Sequence, residues 1–308
     1  MYKINLYKSS FQSDEVFSVE ANKLQELLRS NLDSMPAKAR RVVEYLLTHM
    51  REAAFISIGD VADTLGVSKA QLVRVARILG FKGYAELKSA LKESVLEQVN
   101  PAAMLARAMS EEGDLSERIR QMEHANLEDT WNRLKIEDVR AFCALVKKAN
   151  GIYCAGWSIS GMMAECLHSR LRELGLRAHQ MYPGSGCLTL IEQARSIRRD
   201  DLVIAFDLPS YSVLLTEAVQ KAHEHGAQIV TVTDSPAAPI CGSADLSFFV
   251  SDNSPTFGSS LIGPLFLIHI LTSRLSIDLG DSAMQALAEQ SQCLRDERLY
   301  HPVYTLRY

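Results

Sequence analysis

The sequence predicts an α/β fold in two parts: an N-terminal all-α helix-turn-helix domain, followed by a parallel-sheet α/β sandwich domain. Two observations favour this division. Residues 36 to about 100 contain short amphipathic helical segments with only brief breaks between them. From about 150 to 250, apolar β-branched runs alternate with helical segments. That alternation is typical of βαβ units, whose parallel sheet is covered by helices on both faces.

Length and composition set the broad class of protein. The chain has 308 residues, 47% of them hydrophobic and 23% charged, which is enough to bury the cores of two ordinary domains. Its formal net charge of −4 excludes a polycation, so any affinity for nucleic acid must come from a local patch. The six cysteines stand far apart and lack metal-ligand spacing. We therefore expect reduced thiols in a cytoplasmic protein, with no metal or cofactor.

A membrane partner is not expected. The longest apolar run, residues 261–271, is broken by Pro264 and His269. It is about half as long as the roughly 20 residues that span a bilayer. The first residues alternate polar and apolar side chains and lack the pattern of a signal peptide.

Three helices are predicted in the N-terminal segment. Pro36 precedes the first of them, because proline is tolerated in a first helical turn. Capping-box patterns at 57–60 and 68–71 predict the starts of the second and third helices. Gly66 separates these two helices, and Gly80 ends the third in a position where glycine accepts a left-handed backbone. Two short helices joined by a tight turn form the helix-turn-helix pattern.

In that pattern the second helix of the pair enters the major groove of DNA. Its outward face carries three cations, which phosphate and base contacts require. Residues 36–95 hold ten cations and six anions, a net charge of +4, which leaves −8 for the rest of the chain. A small helical dimerisation module with a solvated face is the alternative. The candidate DNA-binding residues are Ser68, Lys69, Ala70, Gln71, Val73, Arg74 and Arg77.

The N-terminal segment resembles the DNA-binding domain of RpiR-type bacterial transcription regulators. The resemblance covers Met35 to Lys92, and its most specific part is the run Leu79-Gly-Phe-Lys-Gly-Tyr-Ala-Glu-Leu-Lys88. It implies that the chain binds double-stranded operator DNA. Regulators of this family join such a domain to a sugar-isomerase-like (SIS) domain.

Five strands are predicted in the C-terminal segment, at 151–156, 178–181, 202–206, 229–232 and 246–249. Helices are expected at Met162–Leu174 and Ser212–His225. Ligands of open parallel sheets bind beyond the carboxyl ends of the strands. The loops 156–161, 207–212 and 233–236 occupy that edge. The serines in these loops have a simpler reading as helix caps.

Residues from about 125 to 280 resemble a SIS domain, a fold that binds phosphosugars. Ser160 matches a serine of the family's first loop, and residues 233–236 match the family segment before Ala244-Asp245. The second loop departs from the family's Ser-x-Ser-Gly-x-Thr cradle and keeps a hydroxyl in place only at Ser212. The candidate effector-binding residues are Ser158, Ser160, Asp207, Ser210, Tyr211 and Ser212.

These departures predict an unusual ligand. Pro209 has no N–H to donate, and Ser158 and Ser210 stand where the family has glycine. Asp207 adds a negative charge near the expected phosphate, unless it turns away to cap the following helix. Tyr211 offers a flat apolar face to a sugar ring. We therefore expect sugar phosphates to bind less well than non-phosphorylated or carboxylate-bearing analogues.

The predicted organisation is an N-terminal extension (1–35), a helix-turn-helix domain (36–98), a helical linker (99–126), a SIS effector-binding domain (127–281) and a C-terminal tail (282–308). We expect a homodimeric or homotetrameric transcription regulator, in the first instance a repressor, that responds to a sugar-like or sugar-phosphate metabolite. One alternative is a SIS-type sugar isomerase, for which Glu165 and His168 would be candidate bases. Another is a DNA-binding protein whose SIS domain only dimerises.

Overall fold

The computed structural model describes residues 24–32, 35–98, 100–181 and 189–297. Most of the predicted N-terminal extension and the end of the predicted tail lie outside these ranges. The chain divides into two compact units. The first comprises Met1–Arg118 and Pro255–Gly258, and the second comprises Ile119–Ser254 and Ser259–Tyr308.

The described part of the first unit is helical. Its helices are α1 (24–31), α2 (Ala37–Thr48), α3 (Met50–Phe55), α4 (Ile58–Leu65), α5 (Lys69–Ile78), α6 (Tyr84–Gln98) and α7 (Pro101–Ser110). The apolar faces of α1 to α6 enclose one core, in which Leu46, Leu72 and Leu87 are fully buried, whereas α7 has no buried residue. Leu24 and Leu28 of α1 belong to the same core, so helical packing begins before the predicted domain start at residue 36.

The helix-turn-helix is confirmed, with one difference in its capping. Ser57 and Asp60 form a reciprocal capping box at the start of α4. Gly66 then takes the left-handed conformation (φ 61°) and Gly80, beyond α5, has φ 93°. At the start of α5 the Ser68 hydroxyl accepts a hydrogen bond from the Gln71 N–H, which is half of the predicted capping box.

The second unit is a five-stranded parallel sheet flanked by helices. The boundary between the units falls within α8 (Leu115–Arg133). The elements that follow are α9 (Ile136–Lys148), β1 (Ile152–Gly156), α10 (Ile159–Glu173), β2 (Ala178–Met181), α11 (Leu190–Ala194), β3 (Leu202–Phe206), α12 (Val213–Glu224), β4 (Gln228–Thr233), a 3-10 helix (Pro239–Ser243), β5 (Leu246–Phe249), α13 (Ile262–Leu279) and α14 (Asp281–Asp296).

The strand order is β2-β1-β3-β4-β5, and all pairs are parallel. Alternate residues of each strand point to opposite faces, which separates two apolar cores. Leu202, Ile204 and Phe206 of β3 pack into the core formed with α9, α10 and α13. Val203 and Ala205 pack on the other face with α11 and α12. Burial on both faces explains why this strand is continuously apolar.

Helix α13 contains the apolar run that the sequence analysis singled out. Among the described residues it is the one helix whose length and composition would allow it to cross a membrane. Leu267, Leu271 and Leu275 are buried in the core of the second unit. This packing accounts for one apolar face of the helix, while Ile262 and Leu265 on its first turn remain exposed.

Two predicted helix limits are corrected. Helix α10 begins at Ile159 rather than at Met162, so Ser160 lies in a helical turn and not in the loop. Residues 281–296, assigned to an undefined tail, form α14. Only Ala283 of α14 is buried, so this helix adds little to the core of the second unit.

Candidate DNA-binding face and candidate effector site

The candidate DNA-binding residues share one helix but differ in exposure. Ser68, Lys69, Ala70, Arg74 and Arg77 are exposed, whereas Gln71 and Val73 are partly buried. Val73 packs against the core of the first unit. The exposed basic face of α5 therefore comprises Lys69 in its first turn together with Arg74 and Arg77, which lie one turn apart.

Other lysines in the +4 count are used within the first unit. The Lys88 ammonium donates to the Ile56 carbonyl oxygen at 2.5 Å, next to the end of α3. Lys92 lies over the Phe55 ring, with its Nζ 5.9 Å from the ring centroid. Cations near the last carbonyls of a helix stabilise that end. Both ammonium groups keep their charge and contribute to the net +4, while these contacts fix their positions near the end of α3.

The candidate effector site lies at the carboxyl edge of the sheet, where the strand order reverses. β1 is flanked by β2 on one side and by β3 on the other, so the crossovers leaving β1 and β3 run to opposite faces. Ligands of open α/β sheets bind at such a switch point. The loop after β1, the loop after β3 and the segment after β4 meet this edge. We refer to residues 156–160, 207–212 and 233–235 as the carboxyl-edge site.

The loop after β1 is shaped by a close backbone approach. A Cβ atom on Gly156 would lie 2.4 Å from the main-chain oxygen of Ser160, so only glycine is accommodated there. Ser158 has φ 52° and ψ −125°, a conformation that favours glycine, and it is exposed. Ser160 is buried, and its hydroxyl accepts a hydrogen bond from the Leu208 N–H at 3.1 Å. Ser160 therefore ties α10 to the loop after β3.

The loop after β3 keeps a glycine-like backbone without a glycine. Ser210 has φ 78°, as expected if the serine occupies the conformation of the family's glycine. Ser212 caps α12, since its hydroxyl accepts from the Leu215 N–H at 3.2 Å. The Tyr211 hydroxyl donates to Asp234 Oδ1 at 2.8 Å, which joins this loop to the segment after β4.

Asp207 turns toward the helix that follows it. One oxygen, Oδ1, accepts from the Ser212 N–H at 3.1 Å. The other, Oδ2, is buried and has no hydrogen-bond partner among the described residues. Burial, with a further contribution from Asp234, raises the pKa of Asp207 to about 7, although the Ser212 N–H acts in the opposite direction.

A buried polar network next to this site was not predicted. Asn126 of α8 accepts from the Ser251 hydroxyl at 2.9 Å and donates to the Asn253 carbonyl oxygen at 2.8 Å. Thr130 accepts from the Ser251 N–H at 3.0 Å, and Arg133 donates to the Asp234 carbonyl oxygen at 3.0 Å. The sequence signal was the spacing of these three α8 residues on one helix face, which begins at the end of the predicted linker and continues into the predicted SIS domain.

Glu165 and His168, the candidate isomerase bases, lie away from this edge. Glu165 is exposed and His168 is partly buried on α10. At a rise of 1.5 Å per residue they are roughly 9 and 13 Å along the helix axis from its first residue. The structure therefore does not bring this pair to the carboxyl-edge site.

Comparison with known proteins matches both units. Residues 22–98 match the model of the helix-turn-helix domain of the rpiR family, and residues 145–274 match the SIS domain. The HTH-type transcriptional regulator RpiR of Escherichia coli K12 is 27% identical over 226 residues, which are 72% of this chain and 74% of the relative. An uncharacterised HTH-type transcriptional regulator of Haemophilus influenzae is 24% identical over 280 residues, covering 86% and 94% of the two chains.

Solved structures share the fold. The Vibrio vulnificus NanR protein, complexed with ManNAc-6P, superposes with a TM-score of 0.59 at 22% identity, covering 89% of this chain and 98% of that one. The sugar isomerase domain of an RpiR transcription factor from Sphaerobacter thermophilus gives a TM-score of 0.55 at 22% identity, covering 58% and 99%.

The first unit contains a helix-turn-helix with an exposed basic face, and the second is a parallel sheet whose carboxyl edge has the position of a ligand-binding site. Together they define a DNA-binding transcription regulator with a SIS domain. With both domain models matched in order along the chain, the protein belongs to the RpiR family of transcription regulators.

Proposed function

We propose that DNA binding by this regulator is controlled by a small sugar-like metabolite that binds at the carboxyl-edge site. The observation that carries the proposal is the polar group formed by Asp207, Tyr211 and Asp234. Two loops supply its members, it lies at the topological switch point, and Asp207 Oδ2 has no partner within the described chain. NanR, a relative in fold, was captured with a sugar derivative, ManNAc-6P, which is consistent with a ligand of this broad class.

The rest of the proposal follows from the two units. Arg74 and Arg77 on α5 contact double-stranded operator DNA, and two copies of the chain bind two half-sites. The protein acts in the cytoplasm and its SIS domain senses the ligand without converting it. Relatives named as transcriptional regulators support a role without catalysis.

The test measures DNA affinity with and without ligand. A duplex selected from random DNA by the purified protein serves as the operator in fluorescence anisotropy titrations. Hexoses, aminated hexitols and hexose phosphates are added in turn. We expect one class to change the Kd for this duplex at least tenfold, and release from DNA would be the behaviour of an inducible repressor.

Tyr211→Phe provides the matched variant, because it removes only the hydroxyl that donates to Asp234. We expect it to weaken the response to ligand while the Kd for DNA without ligand stays unchanged. If every compound leaves both DNA affinity and thermal stability unaltered, the sensor proposal is wrong and the ligand-independent dimeriser is favoured.

One observation favours a sugar isomerase as the second candidate. Asp207 lies at the carboxyl edge of the sheet, and its pKa of about 7 suits a general base that works near neutral pH. Against this candidate, relatives matched over most of the chain are named as transcriptional regulators. The test is aldose–ketose interconversion of a hexose phosphate, monitored by proton exchange with deuterated water. Activity that Asp207→Asn abolishes would support this candidate.

A further inference from the structure

At the start of α12, two amide donors are already in use within the protein. Helix N-termini bind anions because their first N–H groups have no partner within the helix. Here the Ser212 N–H donates to Asp207 Oδ1 at 3.1 Å, and the Leu215 N–H donates to the Ser212 hydroxyl at 3.2 Å. A carboxylate of the protein thus occupies the place where an anionic ligand group would bind.

The other hydroxyls near this terminus are also engaged within the protein. Ser160 accepts from the Leu208 N–H, and Thr233 donates to the Asp207 carbonyl oxygen at 2.7 Å. The Tyr211 hydroxyl donates to Asp234. These bonds hold the loop after β3 in place without any ligand, and a phosphate that bound the Ser212 N–H would have to displace the Asp207 carboxylate.

The charges around Asp207 also oppose an anion. Its carboxyl group is 2% exposed and lies within electrostatic range of Asp234. The thiol of Cys241 lies within electrostatic range of both carboxyl groups, and burial, with a contribution from these two aspartates, raises its pKa. Arg133 donates to the main-chain oxygen of Asp234. A second anion would add to the repulsion between two buried carboxylates.

We propose that Asp207 is a specificity-determining residue that excludes phosphate from the start of α12. The carboxyl-edge site instead takes a sugar derivative that presents hydrogen-bond donors, hydroxyl or ammonium, to Asp207 and Asp234. This inference rests on the proposed sensor function and names its ligand class. It also narrows the sequence-based expectation, because a carboxylate-bearing analogue meets the same repulsion as a phosphate.

The experiment compares the wild type with Asp207→Asn, which removes the charge but keeps an oxygen to accept the Ser212 N–H. Inorganic phosphate, hexose 6-phosphates, the parent hexoses and 1-amino-1-deoxyhexitols are titrated by calorimetry at pH 6 and pH 8. Asp129→Asn, at an exposed aspartate on the same unit, is the control for loss of one negative charge. For the wild type we expect hexoses or aminohexitols to bind at least tenfold more tightly than phosphates.

The variant should reverse this order. Asp207→Asn should gain at least tenfold in affinity for hexose phosphates, whereas Asp129→Asn should not. In the wild type, phosphate binding should weaken from pH 6 to pH 8 as Asp207 ionises, and this pH dependence should diminish in Asp207→Asn. If the parent hexose binds alone the donors are hydroxyls, and if the aminohexitol binds more tightly the donor is an ammonium group.

Two results would overturn the proposal in distinguishable ways. If hexose phosphates bind the wild type as tightly as they bind Asp207→Asn, and release it from DNA, the sensor stands and the exclusion of phosphate is wrong. If no compound binds any form of the protein, the sensor function fails with it. Should Asp207→Asn not fold, Asp207→Ser is the substitute, and the pH dependence of the wild type still decides the question.

Discussion

Two serines hold backbone conformations that glycine adopts at lower cost. Ser158 has φ 52° and Ser210 has φ 78°, and both lie in loops of the carboxyl-edge site. A side chain with a Cβ atom destabilises such a conformation by about 1–2 kcal/mol. The resemblance to SIS domains predicted that these positions depart from glycine. The structure adds that the backbone keeps the glycine conformation nevertheless.

Replacing Ser158 with glycine should therefore stabilise the second unit. We expect Ser158→Gly to raise its free energy of unfolding by about 1 kcal/mol, because the strain that is relieved exceeds the added chain entropy of glycine. Ser158 makes no capping hydrogen bond from its side chain within the described chain, so little is lost with the hydroxyl. Ser158→Ala is the control and should give no gain. Urea unfolding followed by the fluorescence of Trp131 and Trp157, both in this unit, measures the effect. Equal stability of the glycine and alanine variants would contradict the strain argument.

Asp207 should make stability depend on pH. Its pKa is about 7 in the folded state against an ordinary value of 3.8, so the folded state holds the proton more tightly. The stabilisation is complete below pH 4, declines as pH rises toward 7 and is lost above that. Asp207→Asn removes this pH-dependent contribution to the free energy of unfolding. The difference in unfolding free energy between variant and wild type should therefore shift in favour of the variant between pH 4 and pH 8, by at most about 4 kcal/mol. Urea unfolding at both pH values provides the measurement, and a difference independent of pH would show that Asp207 ionises normally.

At the scale of single elements, α5 carries the prediction about DNA. Arg74 and Arg77 are exposed, and their neighbours Leu72, Val75 and Ala76 anchor the helix in the core. Replacing either arginine with alanine should weaken DNA binding without unfolding the domain. A lost base contact would cost about 1–3 kcal/mol and relax specificity at one position. A lost phosphate contact would weaken binding to all sequences and reduce the salt slope by about one.

Anisotropy titrations at two salt concentrations distinguish these cases. Arg172→Ala, which removes an exposed arginine from α10 of the second unit, is the control and should bind DNA as the wild type does. Unchanged affinity in both Arg74→Ala and Arg77→Ala would mean that α5 does not enter the groove.

The elements differ in how far the sequence could predict them. β2, β3 and β5 have the predicted limits. For β3 the reason is a continuous apolar run bounded by polar residues, which leaves few alternatives. α14 was missed because its side chains are mostly exposed. The early start of α10 was missed because it depends on the backbone of Ser158, which the residue type disfavours. Candidate residues of the site were predicted from family motifs, whereas the bonds from Asp207 to Ser212 and from Tyr211 to Asp234 depend on tertiary placement.

At the scale of the whole molecule, we expect at least a dimer in solution. One recognition helix contacts only a short half-site, so two copies are needed for useful specificity in a genome. Ile262 and Leu265 on the first turn of α13 are 42% and 37% exposed, apolar surface that a second copy would cover. Sedimentation at micromolar concentration should give at least twice the 34.2 kDa mass of the chain. Leu265→Glu should shift the protein toward the monomer, whereas Lys148→Glu, at an exposed position of α9, should leave the oligomeric state unchanged. A wild type that sediments as a single chain would rule out the dimer.

Gly156 sets the spacing between β1 and α10 because it has no Cβ atom. One added methyl group would lie 2.4 Å from the Ser160 main-chain oxygen, so α10 would have to move away from the sheet. Ser160 would move with it and would release the Leu208 N–H that it holds. The side chain of glycine is a single hydrogen atom, and the next larger side chain, the methyl group of alanine, is already too large. The distance between β1 and α10 therefore cannot be adjusted in small steps by substitution at this position. Changes in ligand preference are therefore expected from the loop after β3. Its residues can be substituted one at a time while the spacing between β1 and α10 stays fixed.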